Sequence, residues 1–244
     1  MMGKFAIITG ASSGIGEGIM TKLKNSGYKI IAVDKQSISK DIPEDIYFYQ
    51  TDITNETKLQ KLFNDISEKT DRIDVVVNSA GTIEKIPGLE KLTITEFKNI
   101  LNVNLLGVFS ICKYSLPFLK KSNYPSIINI GSIRGLYSRS NYLAYSSSKA
   151  ALLSLTLNLA KELAKFKIRV NMISPGSVIG TGFWNIQNDK PLDLQTKMQL
   201  INASPLKKLT TAESIANAVR FLVSEDAGSI TGIDLKIDTG LSLG

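Results

Sequence analysis

Tyr145 and Lys149 stand four residues apart and carry side chains that could exchange a proton with an alcohol or a carbonyl oxygen. If the stretch from Ala144 to Ala164 is helical, the phenol and the ammonium lie on one face, a turn apart. A cation about 5 Å from a phenol, at an effective dielectric constant near 20, favours the phenolate by roughly 3 kcal/mol, or about two pKa units. The positive end of the helix acts in the same direction. The pair therefore predicts a tyrosine with a lowered pKa that serves as a general acid or base.

Such a pair is weak evidence alone, because chance can produce it in a chain with 8 tyrosines and 29 lysines and arginines. The context strengthens it. Ser132 lies upstream of Tyr145, after the apolar run Ile127–Ile130 that predicts a strand. Ligands bind at the carboxyl ends of parallel strands, so we expect this strand to deliver Ser132 to the site.

A glycine-rich turn near the start of the chain predicts a phosphate site. The predicted strand Lys4–Thr9 runs into Gly-Ala-Ser-Ser-Gly-Ile-Gly, and an amphipathic helix follows to about Asn25. This order aims unpaired backbone N–H groups and a positive helix end at a phosphate. Gly10 permits the tight turn, Gly14 lets the backbone approach a pyrophosphate, and Gly16 lets helix and strand pack closely.

Asp34 ends the next predicted strand, Tyr28–Val33, close to the spacing expected for a carboxylate that binds a ribose. A carboxylate there accepts hydrogen bonds from the ribose hydroxyls and repels a 2′-phosphate, which favours NAD over NADP. Lys35 could instead turn towards a phosphate, so NADP stays possible, and Ser13 stands where a basic residue would favour it. Asp34 as a simple turn residue is the other alternative.

The rest of the chain alternates strands and helices. Asp52 follows the third strand and is a candidate to hold the adenine amino group, and Asn104 lies among apolar neighbours, where it needs hydrogen-bond partners. The helical patterns are residues 55–69, a long helix from the capping box Thr93-x-x-Glu96 through Phe109, and a last helix from Thr210-x-x-Glu213 to Val223. The remaining strands are predicted at Ile46–Gln50, Ile73–Val77, Ile168–Ile173 and Asp234–Asp238.

The segment from Ser177 to Ser204 is predicted to be a substrate lid, because periodicity is lost from Ser177 to about Asp193. It contains Ile179, Phe183, Trp184, Met198 and Leu200, and with residues 133–143 it is expected to shape the substrate pocket. Arg134 and Arg139 either meet an anionic group there or lie on the surface.

Composition excludes several classes of site. The 244 residues, 43% hydrophobic, predict a single domain spanning 1–244. Histidine is absent and Cys112 is the single cysteine, which excludes Ser-His-Asp hydrolysis and leaves no plausible metal site. The net charge of +7 is scattered rather than striped, so we expect no nucleic-acid partner. No apolar run looks long enough for a bilayer and no signal peptide is evident, so we expect no membrane and a cytoplasmic location.

Taken in order, these motifs resemble those of the short-chain dehydrogenase/reductase family, in its branch of about 250-residue single-domain enzymes. The resemblance covers nearly the whole chain. It is carried by Thr9-Gly10-x-x-x-Gly14-x-Gly16, Asn78-Ser79-Ala80-Gly81, Asn104, Ser132, Tyr145-x-x-x-Lys149 and Pro175-Gly176.

The resemblance implies an α/β fold: a Rossmann-type, doubly wound, seven-stranded parallel sheet with helices on both faces. It also implies an NAD(P)-dependent interconversion of a secondary alcohol and a ketone. Tyr145 would be the general acid/base, Lys149 would lower its pKa and bind the nicotinamide ribose, Ser132 would hold the substrate oxygen, and Asn104 would keep a water in a proton relay. The implied cofactor-binding residues, besides Tyr145 and Lys149, are Gly10, Ser12, Ser13, Gly14, Ile15, Gly16, Asp34, Asp52, Ile53, Asn78, Ala80, Gly81, Pro175, Gly176 and Val178.

Two departures from the family pattern bear on the site. Ser79 replaces a common asparagine. Gly180 stands where the family usually has a threonine for the carboxamide, and Thr181 follows it. The resemblance further suggests a homotetramer or dimer through the helices near 95–119 and 144–165, whose apolar faces could equally pack inside the monomer. The rival functions are a catalytically silent dinucleotide-sensing protein of the same fold and a sugar-nucleotide epimerase or dehydratase, which usually needs a longer chain.

Overall fold

The strands predicted from the sequence form one parallel sheet. The computed structural model describes residues 3–38, 43–84, 88–137, 141–181 and 193–243. The strands are β1 (Lys4–Thr9), β2 (Tyr28–Asp34), β3 (Ile46–Gln50), β4 (Val75–Asn78), β5 (Ser126–Ile130), β6 (Arg169–Pro175) and β7 (Asp234–Ile237). Their order across the sheet is β3-β2-β1-β4-β5-β6-β7, and every pair is parallel.

Helices lie on both faces of this sheet. The α-helices of the described residues are α1 (Gly14–Lys24), α2 (Glu56–Ser67), α3 (Ile94–Leu101), α4 (Val108–Leu119), α5 (Leu143–Leu163), α6 (Leu194–Ala203) and α7 (Ala212–Val223). One apolar core packs α2, α4 and α5 against one face, and a second packs α1 and α7 against the other. The predicted doubly wound seven-stranded fold is confirmed.

The sheet is built from short, apolar, β-branched runs, as expected for strands that are covered on both faces. All residues of β4 and β5 are buried. The chain passes from one side of β1 to the other between β3 and β4, since β1 pairs with both β2 and β4. In a sheet of this kind the crevice at such a reversal is where ligands bind.

Several predicted boundaries differ from the structure. The long helix predicted from Thr93 is interrupted by a π-helical turn at Asn102–Gly107. The last helix is capped by Thr211, whose side chain accepts from Ser214 N, rather than by Thr210. Strand β4 starts at Val75 instead of Ile73, and β6 continues to Pro175.

The helical stretch Ile94–Leu119 corrects the expectation that no segment has the length and hydropathy to cross a bilayer. It meets both conditions because α3 and α4 are continuous through the π-helical turn. Its buried side chains, among them Val108, Ile111 and Leu119, belong to the core against the sheet. In all, 39% of the stretch that meets both conditions is buried inside the protein.

Candidate active site

Tyr145 lies in the first turn of α5 and lines a cavity of about 460 Å³. Only 7% of the residue is exposed. Ser132, two residues after β5, hydrogen-bonds to its side chain, and Lys149 lines the same cavity. The structure therefore brings together the three residues that the sequence placed at the centre of the chemistry.

The ammonium of Lys149 is directed at the sheet. Its Nζ donates to the carbonyl oxygen of Ile130, the last residue of β5, over 2.7 Å, and lies 5.7 Å from the ring centre of Tyr145. The residue is only 4% exposed, and burial lowers the pKa of this lysine to about 8. Lys149 thus ties α5 to the end of β5 beside the tyrosine.

The predicted lowering of the Tyr145 pKa is wrong. Burial raises the pKa of Tyr145 to about 12 and outweighs the Ser132 hydrogen bond and the Arg134 charge, both of which lower it. The sequence argument assumed a partly solvated phenol with a cation aimed at it. In the structure the phenol is buried and the ammonium donates to Ile130 instead.

A single 3₁₀ turn, Ile133–Gly135, fixes Ser132 against α5. The Ser132 hydroxyl caps this turn by accepting from Arg134 N over 3.2 Å. A Cβ on Gly135 would lie 2.8 Å from the carbonyl carbon of Lys149, so only glycine allows this approach of the turn to the helix. The close contact holds Ser132 next to Tyr145.

Asn104 lies inside the π-helical turn and is fully buried. Its side-chain oxygen accepts from Thr82 N over 2.8 Å, and its nitrogen donates to Thr82 O and to Ser148 Oγ, each over 2.9 Å. The hydrogen-bond partners that a buried asparagine needs therefore come from the loop after β4 and from helix α5. These hydrogen bonds join Asn104 to Thr82 and Ser148 rather than to Lys149, and the predicted water relay stays a prediction.

Glu84 is a buried carboxylate beside the site that sequence reasoning missed. Its Oε1 accepts from the backbone N–H of Tyr145 over 2.9 Å, and the residue is 1% exposed. Tyr142, which precedes α5, makes no side-chain cap. Glu84 therefore supplies a cap to this helix from a loop 61 residues away, for which the local sequence carries no signal.

The glycine turn opens into a second cavity of about 300 Å³. Gly10 and Gly14 have positive φ angles, and a Cβ on Gly16 would lie 1.9 Å from Gly10 O. Ser13 makes no side-chain cap to α1, so the first amides of this helix are left for another acceptor. Of the predicted turn residues, Gly10, Ser12, Ser13, Gly14, Ile15 and Gly16 all line the cavity. These features fit a pyrophosphate held by backbone N–H groups.

Asp34 also lines this second cavity. Its Oδ2 accepts from Ser12 N over 3.1 Å and from Ser12 Oγ over 2.5 Å, and its Oδ1 accepts from Gln36 N over 2.9 Å. The exposed Lys35 also lines the cavity. The carboxylate is thus held in place at the position that the sequence predicted for ribose binding.

The other predicted cofactor residues divide into two groups. Asp52, Ile53, Ala80 and Gly81 line the second cavity, and Asp52 Oδ1 also accepts from Thr54 N over 2.9 Å. Asn78 differs from the prediction. Its side chain is buried and donates to Asn129 Oδ1 over 2.9 Å and to the sulfur of Cys112, because it points into the core between β4 and β5.

The loop after β6 closes the first cavity. Pro175, Gly176 and Val178 line it, and their predicted contact with a nicotinamide stays a prediction. Gly180 adopts a φ of 74°, in the left-handed region, and Thr181 then reaches both cavities. Whether Thr181 takes the place of the usual family threonine stays a prediction.

Tyr137 and Tyr142, from the stretch 133–143 that was expected to shape the substrate pocket, line the cavity. Leu241 and Ser242 also line it, and the sequence analysis missed them. They follow β7, whose carboxyl end lies at the same edge of the sheet as those of β5 and β6, so the order of the elements could have indicated their position. Arg139, Phe183 and Trp184 fall outside the described residues.

Comparison with known proteins agrees with this geometry. A model of the family described as enoyl-(acyl carrier protein) reductase matches residues 10–242. An L-fucose dehydrogenase of Mus musculus is 33% identical over 248 residues, 99% of this chain and 89% of the relative. The family match, over residues 10–242, includes every residue named above as lining the two cavities.

Two solved structures are similar over nearly their full length. A 3-ketoacyl-(acyl-carrier-protein) reductase from Brucella melitensis, complexed with NADH, has a TM-score of 0.88 and 29% identity, covering 98% of each chain. ElxO with NADP bound has a TM-score of 0.89 and 30% identity, covering 100% of each chain. With the family match over most of its length, the chain belongs to the short-chain dehydrogenase/reductase family.

Proposed function

We propose that the protein is an oxidoreductase that interconverts a secondary alcohol and a ketone with NAD(H), and that Tyr145 is its general acid/base. The observation that carries this proposal is the junction of the two cavities. Ile15, Ser79, Gly81 and Thr181 line both of them. A dinucleotide held at the glycine turn can therefore extend to Ser132, Tyr145 and Lys149 without leaving the crevice.

The chain's own residues supply binding and proton transfer. The Ser132 hydroxyl, hydrogen-bonded to Tyr145, is placed to support charge on a substrate oxygen. Tyr145 gives the proton to that oxygen in reduction and takes it in oxidation. Lys149 holds the helix turn against β5 through Ile130. A bound nicotinamide would supply or accept the hydride.

The protonation state of Tyr145 bears on direction. Because its pKa is raised to about 12, the phenol keeps its proton at neutral pH and is ready to act as an acid. Ketone reduction needs this form, whereas alcohol oxidation needs the phenolate. Oxidation is therefore expected to accelerate as the pH rises, and reduction to be favoured at neutral pH.

The preference for NAD(H) rests on Asp34. A carboxylate fixed by Ser12 and Gln36 in the wall of the second cavity repels a 2′-phosphate and can accept hydrogen bonds from ribose hydroxyls. Relatives of this family bind either cofactor, as the structures with NADH and with NADP illustrate.

Replacement of Tyr145 by Phe tests the proposed chemistry. The variant lacks the proton donor but keeps the ring, so turnover of ketones with NADH is expected to fall by about 10²- to 10⁴-fold or more, the range typical of general acid/base catalysis. NADH affinity, measured by titration of its fluorescence, should stay within about threefold. Substantial turnover by the variant would refute the role of Tyr145.

A further inference from the structure

We propose that Tyr137 determines substrate specificity: its hydroxyl donates a hydrogen bond to a second oxygen of the substrate, apart from the oxygen on the carbon that exchanges the hydride. The preferred substrates are then alcohols and ketones that carry another accepting oxygen, such as diols, hydroxy ketones and ether-bearing ketones, over those with a plain hydrocarbon chain. This inference rests on the proposed function, since it names the substrate class of the same cavity.

Tyr137 belongs to the short segment that also carries Ser132. Its backbone N–H donates to Ile133 O over 3.0 Å and so continues the 3₁₀ turn Ile133–Gly135 that Ser132 caps. The residue is 43% exposed, against 7% for Tyr145, and both line the same cavity. The cavity thus presents two phenols, one buried and one accessible to a ligand.

The oxygen of the Tyr137 hydroxyl accepts hydrogen bonds from the side of β7. Lys236 Nζ donates to it over 2.6 Å, and the side chain of Ser242 also hydrogen-bonds to it. These two contacts, that of Lys236 first, lower the pKa of Tyr137. An ammonium has no acceptor, so the phenolic proton does not point back at Lys236. What the hydroxyl offers to a ligand is therefore its proton, and acceptance from a cation makes it a stronger donor.

The two groups that hold the Tyr137 hydroxyl are themselves fixed by the fold. Lys236 lies in β7, opposite Ser174 of β6. The buried carboxylate of Asp238 accepts from Gly240 N and from Ser242 N, each over 3.0 Å, and so shapes the loop that follows β7. The phenol is thus oriented before a ligand arrives, which lowers the entropy cost of binding one.

A substrate without a second oxygen is disfavoured at this wall. Ile133 and Leu241 line the cavity together with Tyr137. A hydrocarbon group that covers the hydroxyl removes water from it and returns no acceptor, and an unsatisfied donor carries the desolvation penalty of that group. An ether, hydroxyl or carbonyl oxygen at the same place replaces the water. Tyr137 therefore selects both by the hydrogen bond to oxygen and by the penalty on an alkyl chain.

The chain offers matched variants for a test. Y137F removes the hydroxyl and keeps the ring, K236M removes the cation and keeps the phenol, and K236R keeps a cationic donor. Tyr124 is 53% exposed and lines neither of the two cavities, so Y124F deletes an exposed phenolic hydroxyl away from the site.

The experiment measures binding to the complex with NAD⁺, in which a ketone is not reduced, by isothermal calorimetry. The probes are small methoxy ketones with the ether oxygen at successive chain positions, and the alkyl ketones in which a methylene replaces that oxygen. An ether oxygen only accepts hydrogen bonds, so it reports on donation by the protein. The preference is the affinity for a methoxy ketone divided by that for its alkyl partner. Dividing the wild-type preference by that of Y137F removes the difference in hydrophobicity between the probes.

We expect this quotient to reach about 3- to 30-fold at one chain position or more, the range of a hydrogen bond made in one protein and lost in the other. K236M should lower the preference, K236R should restore part of it, and Y124F should leave it unchanged. Y137F should unfold at nearly the wild-type Tm and still reduce alkyl ketones with NADH, because its loss concerns selectivity.

Three results would overturn the inference. The first is a quotient of one at every chain position, which covers both an equal loss of affinity for the two kinds of ketone in Y137F and the failure of every methoxy ketone to bind. The second is the same loss of preference in Y124F. The third is an unchanged preference in K236M, which would refute the support from Lys236. Failure of the proposed function would appear separately, as turnover of ketones by Y145F.

Discussion

Tyr145 and Lys149 show how burial changes two side chains in opposite directions. The tyrosine keeps its proton up to a pKa of about 12, while the lysine gives up its proton at a pKa of about 8. Both shifts favour the uncharged forms, as desolvation requires. At pH 7 these values leave the tyrosine neutral and most of the lysine still protonated, so burial changes the charge of the site only when the pH rises above about 8.

The lysine should make stability depend on pH. Its pKa is near 8 in the folded protein and 10.5 in its ordinary state, so between these values the unfolded chain binds more protons and stability rises with pH. Relative to Lys149→Met, the wild type should gain about 2 to 3 kcal/mol in free energy of unfolding from pH 7 to pH 10, measured by urea denaturation.

The comparison with Lys149→Met removes the pH dependence of stability that comes from groups shared by both proteins. Tyr145 is one of them, and its raised pKa lowers stability only above its ordinary pKa of 10. A difference that stays constant across this pH range would mean that Lys149 titrates normally in the folded protein.

At the level of residues, the sequence predicted those sites whose chemistry depends on type and spacing. Ser132, Tyr145, Lys149 and the glycine turn do meet at one crevice. The direction of the tyrosine pKa was not predictable, because it depends on burial by elements distant in sequence. The inward orientation of Asn78 was missed for the same reason, since its partner Asn129 lies on another strand.

At the level of elements, the start of α5 depends on the loop that follows β4. Glu84 accepts from Tyr145 N, and Asn104 joins the same loop, through Thr82, to Ser148. A helix without a cap from its own sequence is thus positioned by two side chains from outside it. The orientation of Tyr145 is a property of this junction as much as of the helix.

Glu84→Ala should destabilise the protein by about 1 to 3 kcal/mol, because a buried N–H loses its acceptor and the helix loses its cap. Glu84→Gln keeps an acceptor oxygen of the same shape and should cost less. Thermal and urea unfolding measure both, and kcat/KM for ketone reduction should follow the same order.

Equal destabilisation by the Ala and Gln variants would show that the negative charge, and not the hydrogen bond to Tyr145, is what the helix needs. An Ala variant as stable as the wild type would remove Glu84 from this account.

The elements themselves were largely predictable. Apolar β-branched runs located all seven strands, and amphipathic patterns or capping boxes located most of the helices packed against them, whereas α6 was not predicted. The π-helical turn at Asn102–Gly107 was not predictable, since the apolar periodicity passes through it almost unchanged. Turns of this type are frequent at functional sites, and this one carries Asn104.

At the level of the whole molecule, the two joined cavities link cofactor binding to stability. A ligand that binds only the folded state at 100 times its dissociation constant stabilises it by about 2.7 kcal/mol, which for a chain of this size corresponds to a rise in Tm of roughly 5 to 10 °C. NADH is expected to produce such a rise, and NADPH at the same concentration a smaller one.

Asp34→Asn provides the control for this shift, because it keeps a side-chain oxygen facing Ser12 and removes the charge. The variant should lose most of its discrimination between the two cofactors. A larger Tm rise with NADPH than with NADH in the wild type would contradict the assignment of Asp34.

The predicted oligomer and cytoplasmic location remain predictions. Exposed Leu106, Phe109 and Leu157 lie on the helices that were expected to associate.

The order of the strands also affects the nascent chain. β1 can pair with β2 soon after both strands are made. Its other edge stays unpaired until β4 is made, because Asn78, the residue opposite Thr9, lies 69 residues further along the chain. At ribosomal speeds of about 5 to 20 residues per second, that delay is roughly 3 to 14 seconds. During this interval an apolar edge in the middle of the future sheet is open to wrong partners, so the chain is most vulnerable to aggregation before its second half has emerged.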